Sequence, residues 1–201
     1  MDRYRVIFAG AVITAVFAFF VLAFIPQRQL SSVVPMDALK PYTPSQLAGR
    51  GVYISEGCVF CHSQQVRNSS FGSDSLRGWG RASYPEDYRY DRPHLLGTMR
   101  TGPDLTNIAV RQSSRAWHLT HLYQPRAVVG GSLMPSYRYL FAIKPGAEPG
   151  DEVVTLPPDF APAQGVVVAK PAARELVDYL LSLNRNYPRA DMRTVPAGAE
   201  H

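Results

Sequence analysis

Five consecutive residues, CVFCH at positions 58–62, limit what this chain can fold into more than any other part of it. The spacing Cys-x-x-Cys-His is the attachment signature of c-type haem. Two thiols on one turn can form thioether bonds to the two vinyl groups of the porphyrin. The histidine that follows the second cysteine then lies under the iron as its proximal ligand. The sequence therefore predicts one covalent haem c, attached by Cys58 and Cys61 and ligated through its iron by His62.

Two other uses of these cysteines compete with haem. A thioredoxin-like Cys-x-x-Cys pair needs a nearby βαβ unit, and no such pattern precedes position 58. A structural zinc site needs four ligands, which both cysteines and two of three histidines could supply, namely His94, His118 and His121. Zinc would leave His62 without a role and the long loops without a core. A large flat cofactor fills such a core, so haem is the prediction.

A twenty-residue segment without any charge runs from Val6 to Ile25. At about 1.5 Å per residue, a helix of this length covers the roughly 30 Å hydrocarbon core of a bilayer. A cleaved signal peptide has an apolar region of about 7–15 residues followed by a small-x-small cleavage site. Here the run is longer, and the following AFIPQRQ offers no such site. We therefore expect residues 1–26 to be an uncleaved transmembrane anchor.

The haem prediction also gives the anchor an orientation. Covalent haem attachment is carried out outside the cytoplasm, so the haem domain is expected in the periplasm of a bacterium and the N-terminus in its cytoplasm. Arg3 and Arg5 then lie on the inner side of the cell membrane, in agreement with the positive-inside rule.

The remaining chain predicts a mainly α, class I-like cytochrome c domain with long loops. Apolar residues make up 46% and charged residues 18%, with 17 Pro and 15 Gly, which indicates a folded but loop-rich chain. Predicted helices start after Thr43, after Ser113 and at about 171, and end near 57, before Pro125 and near 184. Short strands are predicted at VVTL and VVVA. The expected organisation is a tether that is extended over 27–42, a haem domain over 43–187 and a tail over 188–201.

The net charge of +5 does not indicate a nucleic-acid partner. The 21 basic residues are 18 Arg and 3 Lys, scattered among acids. Nucleic-acid binders usually concentrate basic residues in runs or patches. No nucleic-acid partner is predicted.

The sixth iron ligand is predicted to be Met134, which lies in the loop GGSLMP and is stiffened by Pro135. The carbonyl of Pro103 is expected to accept the Nδ1–H of His62, a contact that fixes ligand orientation. Met99, four residues before Pro103, would then lie on the proximal side of the haem and could not easily reach the opposite side, where the sixth ligand binds. The alternatives are His118 or His121, or an open site. Ligation by Met and His raises the reduction potential and leaves no free position, as suits an electron carrier.

Haem propionates need hydrogen-bond donors, and the chain is rich in arginine. Arg100 is the first candidate and Arg67 the second. A solvated surface charge is the competing interpretation for either residue.

Three segments resemble the mono-haem subunit of cbb-type cytochrome c oxidases, the FixO/CcoO family. They are LKPYTPSQLAGRGVYISEGCVFCHSQQVR, YDRPHLLGTMRTGPDLTNI and SRAWHLTHLYQPRAVVGGSLMPSY, which fall within about residues 39–141. The resemblance implies that Cys58 and Cys61 hold the haem and that His62 and Met134 ligate it. It further implies an electron path from a di-haem cytochrome c subunit to a multi-span haem-copper subunit that reduces oxygen, so that this chain is not itself catalytic.

Two other functions stay open at this point. The small subunit of nitric oxide reductase has one anchor, one haem and a segment similar to Pro103–Asn107. The chain could also be a free-standing electron shuttle tethered to the membrane. The KPYTP and CHSQ segments and the Trp-His helix favour the oxidase.

Overall fold

The computed structural model describes residues 2–36 and 38–188. Its contacts divide the chain into two units. The first comprises Met1–Leu39 with Tyr84–Asp91, and the second comprises Lys40–Ser83 with Arg92–His201. The predicted tail over 188–201 lies, from residue 189 on, outside the described residues.

The first unit contains a long apolar helical segment. Helix α1 (Asp2–Phe19) leads into a π-helical turn (Phe20–Phe24) and then into helix α2 (Ile25–Ser32). Over Arg3–Ser32 the mean hydropathy of the most apolar window is 2.7, so this stretch is long and apolar enough to cross a membrane. The wide turn lies just before Pro26. Because the proline ring crowds the carbonyl four residues earlier, widening the turn there relieves the contact.

The prediction of an extended tether beginning at residue 27 is wrong for residues 27–32, which belong to helix α2. The hydroxyl of Ser31 donates to the Arg28 carbonyl at 2.8 Å, and that of Ser32 donates to the Gln29 carbonyl at 2.7 Å. These bonds close the last turn. The backbone becomes extended only at Val33, where ψ is 127°.

The second unit is mainly helical with long connecting loops, as the sequence predicted. Its helices are α3 (Pro44–Ser55), α4 (Ile108–Arg111), α5 (Arg115–Tyr123) and α6 (Pro171–Ser182). An antiparallel pair joins β1 (Phe141–Lys144) to β2 (Val166–Ala169), with Phe141 opposite Ala169 and Lys144 opposite Val166. Single 3₁₀ turns occupy Cys58–Phe60, Pro125–Ala127, Arg138–Leu140 and Pro158–Phe160.

Helix α3 begins where the sequence predicted. The Thr43 hydroxyl accepts the Gln46 N–H at 3.3 Å, and the Gln46 side chain accepts the Thr43 N–H at 2.9 Å. This reciprocal capping box satisfies two of the donors left free at a helix start. Helix α5 is capped by Ser114, whose hydroxyl accepts the Trp117 N–H at 3.2 Å. The predicted cap at Ser113 is therefore wrong by one residue.

Helices α3 and α6 cross at close range, and Gly49 allows it. A Cβ atom at this position would lie 1.8 Å from the carbonyl oxygen of Glu175 in α6. Beside the crossing, the rings of Tyr53 and Tyr179 pack edge to face with centroids 5.5 Å apart. Both tyrosines are buried, so this crossing forms one end of the hydrophobic core.

The strand prediction is correct for VVVA, which is β2, and wrong for VVTL. In the second segment Val153 forms an isolated bridge with Val168 and the Val154 N–H donates to the Val167 carbonyl at 2.8 Å, so VVTL lies beside β2 without forming a regular strand. The Thr155 carbonyl accepts a hydrogen bond from the Thr120 hydroxyl at 2.9 Å, and not from the backbone of a neighbouring strand. The regular strand partner of β2 is β1, a segment for which the sequence predicts no strand.

Candidate haem-binding site

The CVFCH segment folds into one tight turn directly after helix α3. Gly57 has φ +70°, a conformation that glycine adopts without strain, and it reverses the chain into the 3₁₀ turn Cys58–Phe60. The Cys58 carbonyl then accepts the N–H of Cys61 at 3.1 Å and that of His62 at 2.9 Å. Both thiols and the imidazole therefore start from the same turn.

The imidazole of His62 is held by a residue 41 positions away. Its Nδ1 lies 2.7 Å from the carbonyl oxygen of Pro103, which is the hydrogen bond that the sequence predicted. Because a carbonyl only accepts, Nδ1 carries the proton and Nε2 keeps its lone pair free for a metal. Burial lowers the pKa of His62, against the opposing effects of the Pro103 carbonyl and of Asp104. A neutral imidazole is the form that binds iron.

A cavity of about 580 Å³, part of it open to solvent, lies beside His62. Its lining is mostly apolar and comes from six parts of the fold: Tyr53 of α3, Cys58 and His62 of the CVFCH turn, Pro103, Leu105 and Ile108 of the segment 103–108, Trp117, His118, His121 and Leu122 of α5, Met134 of the following loop, and Leu176 and Leu180 of α6. Cys58 and His62 thus share one cavity with Met134, which follows 72 residues after the histidine.

The two histidines of helix α5 line this cavity as well. The Nε2 of His118 lies 2.8 Å from the Gln112 carbonyl, so that nitrogen is already engaged. The ring of His121 stacks on Trp117 at 4.5 Å and 13°. Its Nδ1 is buried with no hydrogen-bond partner among the described residues. Burial lowers the pKa of His121 to about 4, with His118 and His62 adding to the effect and the Pro125 carbonyl opposing it.

Arg100, the first candidate for a propionate partner, binds protein groups instead. Its Nε donates to the Ser63 hydroxyl at 2.9 Å, one terminal nitrogen donates to Asp74 at 2.5 Å and the other donates to the Gln65 carbonyl at 2.6 Å. Neither Arg100 nor Cys61 is among the described residues that line the cavity. The propionate role therefore stays a prediction that these contacts do not support.

Arg67, the second candidate, uses its backbone N–H to bind Asp74 at 2.7 Å. Its guanidinium lies over the ring of Phe71, 5.8 Å from the centroid. This side chain is not in the cavity lining either.

Sequence reasoning missed most of the apolar wall. Leu176 and Leu180, on the helix that the sequence predicts from about 171, line the cavity as neighbours one turn apart on α6. On α5 the spacing of Trp117 and His121 gives the same one-turn relationship. The four-residue spacing within each helix is visible in the sequence and indicates residues on one helix face. The sequence does not show that these distant segments meet around one cavity.

The residues present fit a haem c. The cavity offers flat apolar walls, one thiol at its edge, a neutral imidazole with a free Nε2 and a thioether as a second soft ligand. Among residues 2–36 and 38–188 no group of three or more His, Cys, Asp or Glu side chains is arranged to hold a metal ion, so the zinc alternative gains no support.

The model of the FixO family, described as the mono-heme subunit of cytochrome c oxidase, matches residues 1–150. None of the curated proteins compared with the chain matches it. The matched region contains the apolar N-terminal helix, the CVFCH turn, Pro103 and Met134, and it covers 150 of the 201 residues. The chain therefore belongs to the FixO family of mono-haem subunits of cytochrome c oxidase.

Proposed function

We propose that this subunit carries electrons, through a haem c attached at Cys58 and Cys61, to the catalytic subunit of a cbb-type oxidase that reduces oxygen. As a FixO subunit the chain is part of an oxidoreductase complex and partners with a catalytic subunit. The observation that carries the proposal is the cavity shared by Cys58, His62 and Met134, with His62 held at 2.7 Å by Pro103. The haem, when bound, supplies reversible one-electron chemistry.

The roles of the two proposed iron ligands follow from their surroundings. The Nδ1–H of His62 stays with the Pro103 carbonyl, which directs Nε2 into the cavity, while burial lowers the pKa of the ring and so favours its neutral form. The loop that carries Met134 is fixed by a bond of 3.2 Å from its N–H to the Ser132 hydroxyl. Pro135, which follows, lacks an N–H and has a restricted φ, which stiffens the loop further. The apolar walls exclude water, which stabilises the less charged, reduced state of such a site.

Met134 is preferred over the two histidines as the sixth ligand. His118 would have to give up its 2.8 Å bond to the Gln112 carbonyl or bind through its other nitrogen. His121 is held flat against Trp117 by ring stacking. Among the residues that the structure describes, the Met134 side chain has no competing hydrogen bond or ring stacking, and a Met and His pair raises the potential in the direction a donor to an oxidase needs.

The membrane position and the partners are part of the same proposal. The helix over Arg3–Ser32 anchors the chain in the bacterial cell membrane, with the N-terminus in the cytoplasm and the haem domain in the periplasm. The direct partners are a multi-span haem-copper subunit and a di-haem cytochrome c that supplies electrons. The FixO match favours this arrangement over the small subunit of nitric oxide reductase.

The sixth ligand is tested by Met134→His in the matured, haem-loaded chain. A bis-histidine site loses the methionine-to-iron absorption band of the oxidised protein, and its reduction potential falls. Met99→His is the matched control, because Met99 is 57% exposed and lies outside the cavity lining. An unchanged band and potential in Met134→His, or a lost band in His121→Gln, would overturn the assignment of Met134.

The partners are tested by extraction in mild detergent followed by capture of this chain. Copper, b-type haem and a di-haem cytochrome in the captured material support the oxidase. A partner with b-type haem and non-haem iron but no copper would identify a nitric oxide reductase. A lone 22.3 kDa haem protein would make the chain a tethered shuttle.

A further inference from the structure

We propose that Asp104 is a positioning residue that holds the Pro103 carbonyl against His62 and, through that hydrogen bond, lowers the reduction potential of the haem. The inference rests on the proposed haem binding. It assigns a role to a carboxylate that is not itself among the described residues lining the cavity, and that acts through its neighbour Pro103.

Asp104 joins the two segments on either side of the proximal histidine contact. Its side chain is fully buried. Its Oδ2 accepts the Ser63 hydroxyl at 2.6 Å and the Gln65 N–H at 2.8 Å, both just after His62 in the chain. Its Oδ1 accepts the Thr106 N–H at 2.8 Å, just after Pro103. A buried carboxylate with three donors from both segments fixes one segment relative to the other.

Backbone hydrogen bonds join the same two segments. The Gly102 N–H donates to the Cys61 carbonyl at 2.9 Å, and the Leu105 N–H donates to the Ser63 carbonyl at 2.8 Å. Pro103 lies between these two bonds and has no N–H of its own. The direction of its carbonyl therefore depends on its neighbours, and Asp104 is the neighbour with the most contacts. The side chain of Arg111 also donates to the Asp104 backbone carbonyl.

Two guanidinium groups from different segments face Asp104. The Arg100 guanidinium lies 3.9 Å from Asp104 Oδ2 and 2.5 Å from Asp74, so one arginine bridges two carboxylates. It also donates to the Ser63 hydroxyl, which in turn donates to Asp104. Arg111 adds a second guanidinium on the backbone side.

These contacts predict the sign of the effect of Asp104 on the reduction potential. A carbonyl held firmly on Nδ1–H makes the imidazole a stronger electron donor, and a buried negative charge nearby favours positive charge on the ring. Both effects stabilise oxidised iron over reduced iron. Loosening the carbonyl and removing the charge therefore shift the potential upward.

The test is Asp104→Asn in the matured chain, with the midpoint potential as the main readout. The amide has the shape of the carboxylate but carries no charge and cannot accept at both positions. We expect unchanged haem content, a retained methionine-to-iron band and a more positive potential. We also expect faster solvent exchange of the His62 Nδ1–H in the reduced protein, measured by proton NMR, by more than the loss of global stability measured by urea unfolding accounts for.

Two further carboxylates separate positioning from charge alone. Asp74→Asn removes a charge on the other side of Arg100 without touching residues 102–105, and its shift should be smaller. Asp151→Asn removes a charge from the pair with Lys144, 2.9 Å away on the β1 side, and should leave the potential unchanged. A shift in Asp104→Asn no larger than that of Asp74→Asn, or an unchanged His62 exchange rate, overturns the positioning role.

A poorly maturing Asp104→Asn does not end the test. Ser63→Ala removes one donor to the carboxylate and leaves its charge in place, so it should raise the potential by less and speed the same exchange. No change in Ser63→Ala would then count against the proposal. If the unaltered chain carries no methionine-ligated haem c, the proposed function fails first. If it does, and the variants match it, only the role of Asp104 fails.

Discussion

Gly102 lies against the imidazole ring of His62 so closely that no side chain fits between them. A Cβ on Gly102 would lie 2.2 Å from Cε1 of His62, 2.7 Å from Nδ1 and 2.8 Å from Nε2. This contact sits one residue before the carbonyl that holds the same ring. The backbone of Gly102–Pro103 therefore supports the histidine both by packing and by hydrogen bonding.

We expect Gly102→Ala to lose most of its correctly ligated haem. The added methyl must push the imidazole or the 102–103 backbone away, and overpacking of this kind costs about 1–3 kcal/mol. The haem-to-protein ratio and the methionine-to-iron band measure the loss. Gly130→Ala is the control, because a Cβ there meets nothing within 4 Å. Equal haem loading in the two variants would contradict the packing argument.

The sequence was informative wherever the chemistry is local. The turn over Cys58–Phe60 and the capping box at Thr43 follow from residues within five positions of each other. The bond between His62 and Pro103 spans 41 positions, yet it was predictable because the carbonyl requirement of a proximal histidine limits the candidates.

The sequence did not predict contacts in which several distant segments meet at one side chain or strand. Arg100 was expected to serve a propionate, but it lies among three acceptors contributed by Ser63, Gln65 and Asp74. No spacing rule indicates that these segments meet. The pairing of β1 with β2 was hidden for the same reason, since β1 and the VVTL segment both contact β2 and only β1 forms a regular strand with it.

A matched pair of glycines tests the crossing of helices α3 and α6. Gly49→Ala places a Cβ 1.8 Å from the Glu175 carbonyl, so the helices must separate, and we expect a loss of at least 2 kcal/mol, on the order of the larger core overpacking effects. Gly51→Ala, on the same helix, meets nothing within 4 Å and should gain about 0.5–1 kcal/mol from helix propensity. Urea unfolding of the haem-loaded chain measures both. Similar values for the two variants would refute the close crossing.

Because His121 is buried, we expect the free energy of unfolding to depend on pH. Burial lowers its pKa from the ordinary 6.5 to about 4, so the unfolded chain takes up a proton first as the pH falls. Between these values the unfolded state binds more protons, and the free energy of unfolding therefore decreases as the pH drops from 6.5 towards 4. His118, whose pKa burial also lowers, acts in the same direction.

The variant His121→Gln should lose part of this dependence. Its free energy of unfolding, measured by urea titration from neutral pH to about pH 5, should fall less steeply than that of the unaltered chain. At pH 8 the histidine is neutral in both states, so the difference measured there reports packing alone and serves as the reference. Parallel curves for the two proteins would show that His121 does not titrate as its burial implies.

Arg100→Lys separates the two roles considered for this residue. A lysine has one nitrogen and cannot reach the Ser63 hydroxyl, the Asp74 carboxylate and the Gln65 carbonyl together. Leaving acceptors of a largely buried network without donors costs about 1–3 kcal/mol each, so we expect a loss of roughly 2–4 kcal/mol in the free energy of unfolding. The control Arg67→Lys changes a guanidinium that lies over Phe71 and should cost well under 1 kcal/mol, as for an exposed cation–π contact. A propionate partner would behave differently. Its replacement would change how the reduction potential varies with pH while costing little stability, and that result in Arg100→Lys would restore the role that the sequence suggested.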